Sequence, residues 1–151
     1  MPTTVHGLDA LKDLSGTDLG RTDWRAVTQQ RVNTFADATD DHQWIHTDPE
    51  KAKGGPFGGP IAHGYLTLSL IIPMFGELLD LTGIGMSVNY GLDKVRFPSP
   101  VPVGAKIRLH GAVGTVEEIK GGVQMPLTFT VEVEDSAKPA CVAQAVYRHY
   151  A

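Results

Sequence analysis

Cysteine is nearly absent. Cys141 is the one cysteine among 151 residues, so no intrachain disulfide can form, as in proteins of reducing compartments. The opening stretch, residues 1–13, also lacks the basic-then-apolar form of a signal peptide, and a cytoplasmic location is expected. Positive charge is scarce as well: 13 Lys and Arg face 17 Asp and Glu for a formal net charge of −4. With no basic cluster, the electrostatic footprint of a nucleic-acid binder is missing. Long hydrophobic runs are missing too. The longest apolar stretch, residues 61–76, is interrupted by His63, Thr67, Ser69 and Pro73 and falls short of the ~18 apolar residues of a membrane span. There is no P-loop, no G-x-G-x-x-G and no G-x-S-x-G. Cys141 sits in a strand-like pattern without an activating partner, so a nucleophilic mechanism has no support.

What is present is apolar surface: 42% of residues are hydrophobic, enough to offset chain entropy in a globular fold. The length predicts one domain over residues 1–151. Leu8, Leu11 and Leu14 followed by Gly16 predict a short peripheral helix with a glycine C-cap. Thr28 is placed to cap a helix running to about Ala38, with Val32, Phe35, Ala36 and Thr39 at helical spacing. Asp48-Pro49-Glu50 reads as an N-cap, a first-turn proline and a first-turn acid. The stretch 53–60 holds four glycines and two prolines and is expected to be a loop. From His63 to about Leu79 the chain is apolar on nearly every face, which predicts a helix surrounded by protein. The remainder switches to period two. Leu127, Phe129, Val131 and Val133 alternate with polar residues, further strands are expected over 86–92, 94–97, 105–116 and 140–150, and Gly121-Gly122 marks a hairpin. Helices first and strands after imply an α+β fold in which a curved antiparallel sheet wraps the apolar helix.

The densest polar cluster is Asp40-Asp41-His42-Gln43-Trp44-Ile45-His46-Thr47-Asp48, between two predicted helices, where loops on rigid elements carry function. A carboxylate and an imidazole facing one water can orient it, take its proton and return a proton elsewhere, and Asp41 and His46 form such a pair. Asp48 is more simply explained as a cap. A metal would draw on His42, His46 and His63 with Asp41 or Asp48, but Pro49 weakens an i, i+4 histidine pair, and neither metal nor cofactor is expected. His63-Gly64 opens the apolar helix. There the free N–H groups favour negative charge and glycine allows close approach, which makes an oxyanion site; alternatively Gly64 serves only the turn and His63 bonds within the core.

Taken in order and spacing, the runs 35–41, 45–49 and 60–64, then Val95-Arg96-Phe97-Pro98-Ser99-Pro100-Val101-Pro102-Val103-Gly104, resemble the MaoC-like (R)-specific enoyl-CoA hydratases. The resemblance implies the hotdog fold, a long central helix wrapped by an antiparallel sheet and paired as a homodimer. It carries the family's acid and histidine onto Asp41 and His46, and its oxyanion glycine onto Gly64. Those residues are then expected to add water to C3 of a trans-2-enoyl-CoA while a proton reaches C2, giving an (R)-3-hydroxyacyl-CoA. Two positions depart from the family pattern, Gln43 for Asn and Trp44 for Pro. Gln43, Trp44 and His63 are therefore expected at most to position substrate. The Asp-His-Gln-Trp-Ile-His form also resembles the nodulation-protein-N-like branch.

The alternatives are a dehydratase acting on acyl-carrier-protein substrates and a non-catalytic acyl-thioester-binding subunit of a hotdog heteromer. A hotdog thioesterase has little support, since Glu77 is the only acid on the central helix and lies near its far end.

Overall fold

The computed structural model describes residues 1–151. The period-two half of the chain folds as strands β5 (Met86–Arg96), β6 (Lys106–Val113), β7 (Glu117–Ile119), β8 (Gly122–Val133) and β9 (Cys141–Tyr150). Along β8 alternate side chains are buried, Val123, Met125, Leu127, Phe129, Val131 and Val133 in turn, as one dry face requires. Strands β7 and β8 form the expected hairpin, with Ile119 opposite Gly122 and Gly121 at φ +81°, a conformation that suits glycine.

With β2 (Asp18–Arg21) and β3 (Arg25–Ala26), these strands make a seven-stranded sheet in the order β2-β6-β8-β9-β5, β3 pairing with β6 and β7 with β8. All of its pairings are antiparallel. The two segments expected over 86–92 and 94–97 are one strand, β5, whose register shifts between Asn89 and Gly91 and between Leu92 and Lys94. Bulges keep a long strand paired while it bends.

All six helices precede β5 in the chain: α1 (Gly7–Lys12), α2 (Gln29–Thr39), α3 (Trp44–Thr47), α4 (Pro49–Lys53), α5 (Gly64–Ser69) and α6 (Ile71–Leu78). Both expected N-caps are made: the Thr28 side chain accepts from the Arg31 N–H, and that of Asp48 from the Lys51 N–H; the expected Gly16 C-cap is not, since α1 already ends at Lys12 with Asp13 as its cap.

Three further expectations need correction. The N-terminal helix is not peripheral: Leu11 is fully buried and Leu14 nearly so. It follows a strand that sequence reading missed, β1 (Thr3–His6), which pairs in parallel with β4 (Leu79–Thr82). The central helix is broken at Leu70 into α5 and α6. Pro73 has no N–H to give the Ser69 carbonyl and its ring crowds that oxygen, while the Ser69 hydroxyl bonds back to the Tyr65 carbonyl at 2.7 Å, and such back-bonding bends helices. Finally, the central helix is covered on one side only, with Tyr65 73% and Ile72 50% exposed.

The buried side of α5 and α6 meets the concave face of the sheet in one cluster of 30 buried residues. Phe75 packs edge-on to Phe129, 5.3 Å between centroids. Gly111 on β6 allows the close approach: a Cβ there would lie 3.2 Å from Leu78 Cδ1. Truncating the fully buried Phe129 to alanine would cost about 3–5 kcal/mol. This is the hotdog arrangement. No helix is long and apolar enough to cross a membrane.

Candidate active site

The site is built where α2 ends. Asp40 takes up the left-handed conformation (φ 59°), which short polar side chains tolerate, and turns the chain so that Asp41 leads into the loop before α3. Gln29, in the first turn of α2, ties the two helices together. Its amide donates to the His46 carbonyl at 2.8 Å and to Asn33 Oδ1 at 2.9 Å.

His46 is buried, and its Nδ1 lies 2.7 Å from the Ile61 carbonyl. A carbonyl only accepts, so Nδ1 carries the proton and the lone pair of the neutral ring sits on Nε2. The segment supplying that carbonyl is itself held: the Ile61 N–H donates to the Ile45 carbonyl at 2.9 Å. Burial, the largest influence, lowers the His46 pKa from its usual value; the Ile61 hydrogen bond partly opposes it, and nearby His63 adds to the lowering. The ring is therefore held ready as a base.

His63 is more deeply buried. Its Nε2–H donates to the Asp41 backbone carbonyl at 3.0 Å, and Nδ1 has no partner. The ring stacks on His46 (centroids 4.0 Å apart, planes at 26°) and tilts against Phe35 at 4.9 Å. Asp41 is exposed, and its carboxylate receives only a long contact, 3.5 Å, from the Gln43 N–H. One donor atom from each of Asp41, His46 and His63 lies within 4.8 Å of the others. A cation would draw on these three groups, yet nearly parallel imidazoles direct their in-plane lone pairs side by side, a poor fit to converging metal bonds. The arrangement suits proton transfer better.

Gly64 is the first residue of α5, and the first turn closes with the Thr67 N–H on the His63 carbonyl. The Gly64 N–H is thus one of the free donors of the first turn. It borders a cavity of about 320 Å³ shared by His46, Phe57, Ile61, Thr67 and Phe97. A Cβ at Gly64 would come within 3.3 Å of the Phe97 ring.

Three of the sequence candidates converge on one another, Asp41, His46 and His63, and Gly64 joins His46 at the cavity. The remaining ones do not converge. Trp44 packs on the turn after α4, so close that a Cβ on Gly55 would touch its ring at 2.9 Å, and Lys51 Nζ lies 4.9 Å from the ring centroid. Gln43 is exposed, and its carbonyl accepts from the His46 and Thr47 N–H groups. His42 faces Asp37, 3.8 Å away, and Asp48 is occupied as a cap. Sequence reading missed Thr67, Phe57 and Phe97 as cavity walls and Ile61 as the carbonyl that orients His46. Phe97 and Ile61 lay inside runs already singled out, but a backbone carbonyl leaves no mark in a sequence.

Residues 12–135 match the MaoC like domain. The chain is 48% identical over 149 residues to 3-hydroxyacyl-thioester dehydratase Z of Mycobacterium tuberculosis, covering 98% of this chain and 99% of that one. It is 43% identical to Nodulation protein N of Rhizobium leguminosarum bv. viciae, over 85% and 81% of the two chains. Among solved structures it resembles the (R)-hydratase of A. caviae involved in PHA biosynthesis, with a TM-score of 0.71 and 26% identity over 88% of this chain and 94% of that one.

Proposed function

This chain belongs to the MaoC-like dehydratase family and is a hydro-lyase of thioesters, and on that premise we propose that it reversibly adds water to trans-2-enoyl-CoA to give (R)-3-hydroxyacyl-CoA. The observation that carries the reading is the His46 tautomer, anchored by the Ile61 carbonyl within reach of the Asp41 carboxylate. Asp41 accepts a hydrogen bond from the attacking water and orients it. His46 Nε2 takes the second water proton as oxygen bonds to C3. The electron pair of the double bond moves toward the thioester carbonyl, whose oxygen gains charge, and the imidazolium returns its proton to C2. The Gly64 N–H is suited to that oxygen; losing one such donor costs roughly 3 kcal/mol in transition-state stabilisation. Dehydration is the same path reversed.

A second copy of the chain fits the remaining surface. Strand β5 is an edge strand, exposed along nearly its whole length, and carries Met86, Val88, Tyr90 and Leu92 into solvent. Such an edge is a template for another strand. Homodimerisation through β5 covers it.

The test follows loss of the enoyl-thioester absorbance of crotonyl-CoA, with chiral analysis of the product and Asp41→Asn and His46→Gln in parallel. Turnover to the (R) product that collapses in both folded variants supports the reading. A folded protein inert toward CoA thioesters but active on acyl-carrier-protein substrates moves the assignment to a carrier-linked dehydratase.

A further inference from the structure

A second cavity, an open cleft of about 500 Å³, lies over the outward face of the sheet. Thr130 and Glu132, which alternate along β8 with the buried Phe129, Val131 and Val133, line it together with Arg108, the register partner of Glu132 on β6. Trp24 and the turn over residues 135–139 complete it. The volume is that of a small-molecule site, but the lining is charged and aromatic, which suits a polar ligand.

Arg108 is held in place before any ligand arrives. It donates to Glu132 through Nε alone, and its guanidinium carbon lies 4.3 Å from the centroid of the Trp24 ring. Both terminal amino groups are left free to donate, in the planar fork that fits a phosphate. Glu132 is shared, since Arg21 Nε also donates to it at 3.0 Å, so two guanidiniums against one carboxylate leave a positive charge. Exposed Lys138 pairs with no carboxylate and adds another. Asp135, also in the lining, takes one away. The cleft is thus net positive on a chain whose formal charge is −4. Residues 21, 108 and 138 are far apart in sequence, which is why no basic cluster shows there. Trp24 keeps 37% of its surface exposed and offers an aromatic surface beside the cations.

One turn walls both this cleft and the active-site cavity. Lys138 and Pro139 line the cleft, while the next residue, Ala140, lines the cavity together with Ser99. The Ser99 hydroxyl donates to the Pro139 carbonyl at 3.0 Å, with the Lys138 carbonyl 3.2 Å away.

We propose that the cleft is a binding site for a phosphorylated nucleotide, its phosphate held by Arg108 and Lys138 and its base beside Trp24. Two sources share that chemistry, the nucleotide end of a CoA thioester seated in the neighbouring cavity and a free nucleotide. ADP, adenosine and inorganic phosphate are titrated calorimetrically into the wild-type protein, Arg108→Met, Lys138→Met and Asp135→Asn. ADP is expected to bind the wild type more tightly than adenosine or phosphate does. Arg108→Met should weaken ADP at least about tenfold, the worth of hydrogen bonds to a charged group, and the exposed Lys138→Met about two- to fivefold. Asp135→Asn should instead strengthen it about two- to fivefold; asparagine tolerates the left-handed backbone at this position (φ 62°), so a gain in affinity cannot come from damage to the fold. The titration needs no turnover and stands apart from the hydratase reading. Inhibition of crotonyl-CoA hydration then separates the sources: ADP raises KM at constant kcat where the cleft holds the nucleotide end of that substrate, and leaves KM unchanged where a free nucleotide is the ligand, the site being upheld in both cases. No binding of ADP to the wild type at millimolar concentration, adenosine or phosphate binding as tightly as ADP, or an ADP affinity unchanged in both Lys138→Met and Asp135→Asn overturns the proposal.

Discussion

The imidazole of His63 lies flat against that of His46, 4.0 Å between centroids, while its Nε2–H holds the Asp41 backbone carbonyl at 3.0 Å. One buried side chain thereby supports both halves of the proposed acid-base pair, the plane of the histidine and the position of the acid. His63→Phe keeps a ring for the stack but removes the donor. The expected outcome is a fall in kcat of at least about tenfold with a smaller change in KM, the mark of misplaced groups, while circular dichroism shows the fold intact. Unchanged kcat in the folded variant would remove His63 from the positioning role.

Burial lowers the pKa of His46, and the proposed chemistry needs the ring neutral before water attacks. Activity is therefore retained as pH falls through the ordinary histidine range, and the acid limb of kcat/KM lies below about 6.5, the usual histidine value. An acid limb above that value would show that His46 is not the base. The same sign applies to stability. His149 is buried, bonded to the Ser87 hydroxyl through Nδ1 with Nε2 unpartnered, and burial lowers its pKa as well. Below about 6.5 the unfolded chain binds more protons than the folded one. Stability is then full above that value and declines as pH falls toward the lowered folded pKa values. Urea midpoints near pH 5 and near pH 8 would show this loss, and it should shrink in His149→Gln.

Gly64→Ala separates space from chemistry. The added Cβ meets the Phe97 ring at 3.3 Å, so a small shift of one ring accommodates it and the melting temperature is expected to change little. The methyl group nevertheless stands beside the proposed oxyanion donor. A loss in kcat/KM of about tenfold or more is expected, in line with displaced electrostatic stabilisation. Combining it with Phe97→Leu relieves the contact; partial recovery of activity would assign the loss to crowding, and no recovery to the donor itself.

Much of this architecture was legible. Alternation along β8, the caps Thr28 and Asp48 and the Gly121 turn are local signals, decided by residues a few positions apart. Asp41 and His46 were legible because they stand five positions apart, with two loop residues and the start of the short helix α3 bringing them together. The parallel pair β1 and β4 was not, since Thr3 meets Leu79 and neither segment is long enough to show a period. Nor was the state of the central helix. Its composition indicated burial all round, but coverage depends on how far the sheet curls, and Tyr65 and Ile72 stay outside it. The anchors of the two site histidines are the carbonyls of Ile61 and Asp41, groups every residue carries, so chain path alone selects them.

Asp48 lies two residues beyond His46, and its role divides cleanly from catalysis. Its carboxylate accepts from the Lys51 N–H at 3.1 Å at the start of α4. Asp48→Ala is expected to destabilise the protein by about 1 kcal/mol, the worth of a lost cap, with kcat close to wild type. A large drop in kcat in the folded variant would place Asp48 in the chemistry instead.

The edge strand β5 supplies the last prediction. Val88 and Met86 are exposed there, and hydrophobic side chains on an unpaired edge invite another strand, whereas lysine on an edge discourages pairing. Val88 stands opposite Arg148 on β9, so a lysine at this position also places two like charges across the strand pair, which is unfavourable. Light scattering coupled to size exclusion is expected to give a dimer for the wild type and a monomer for Val88→Lys. The variant should keep its circular dichroism, because Val88 is exposed and takes no part in the buried core cluster. A wild-type protein that elutes as a monomer at micromolar concentration would leave this edge free for a different chain, as in a heteromeric assembly.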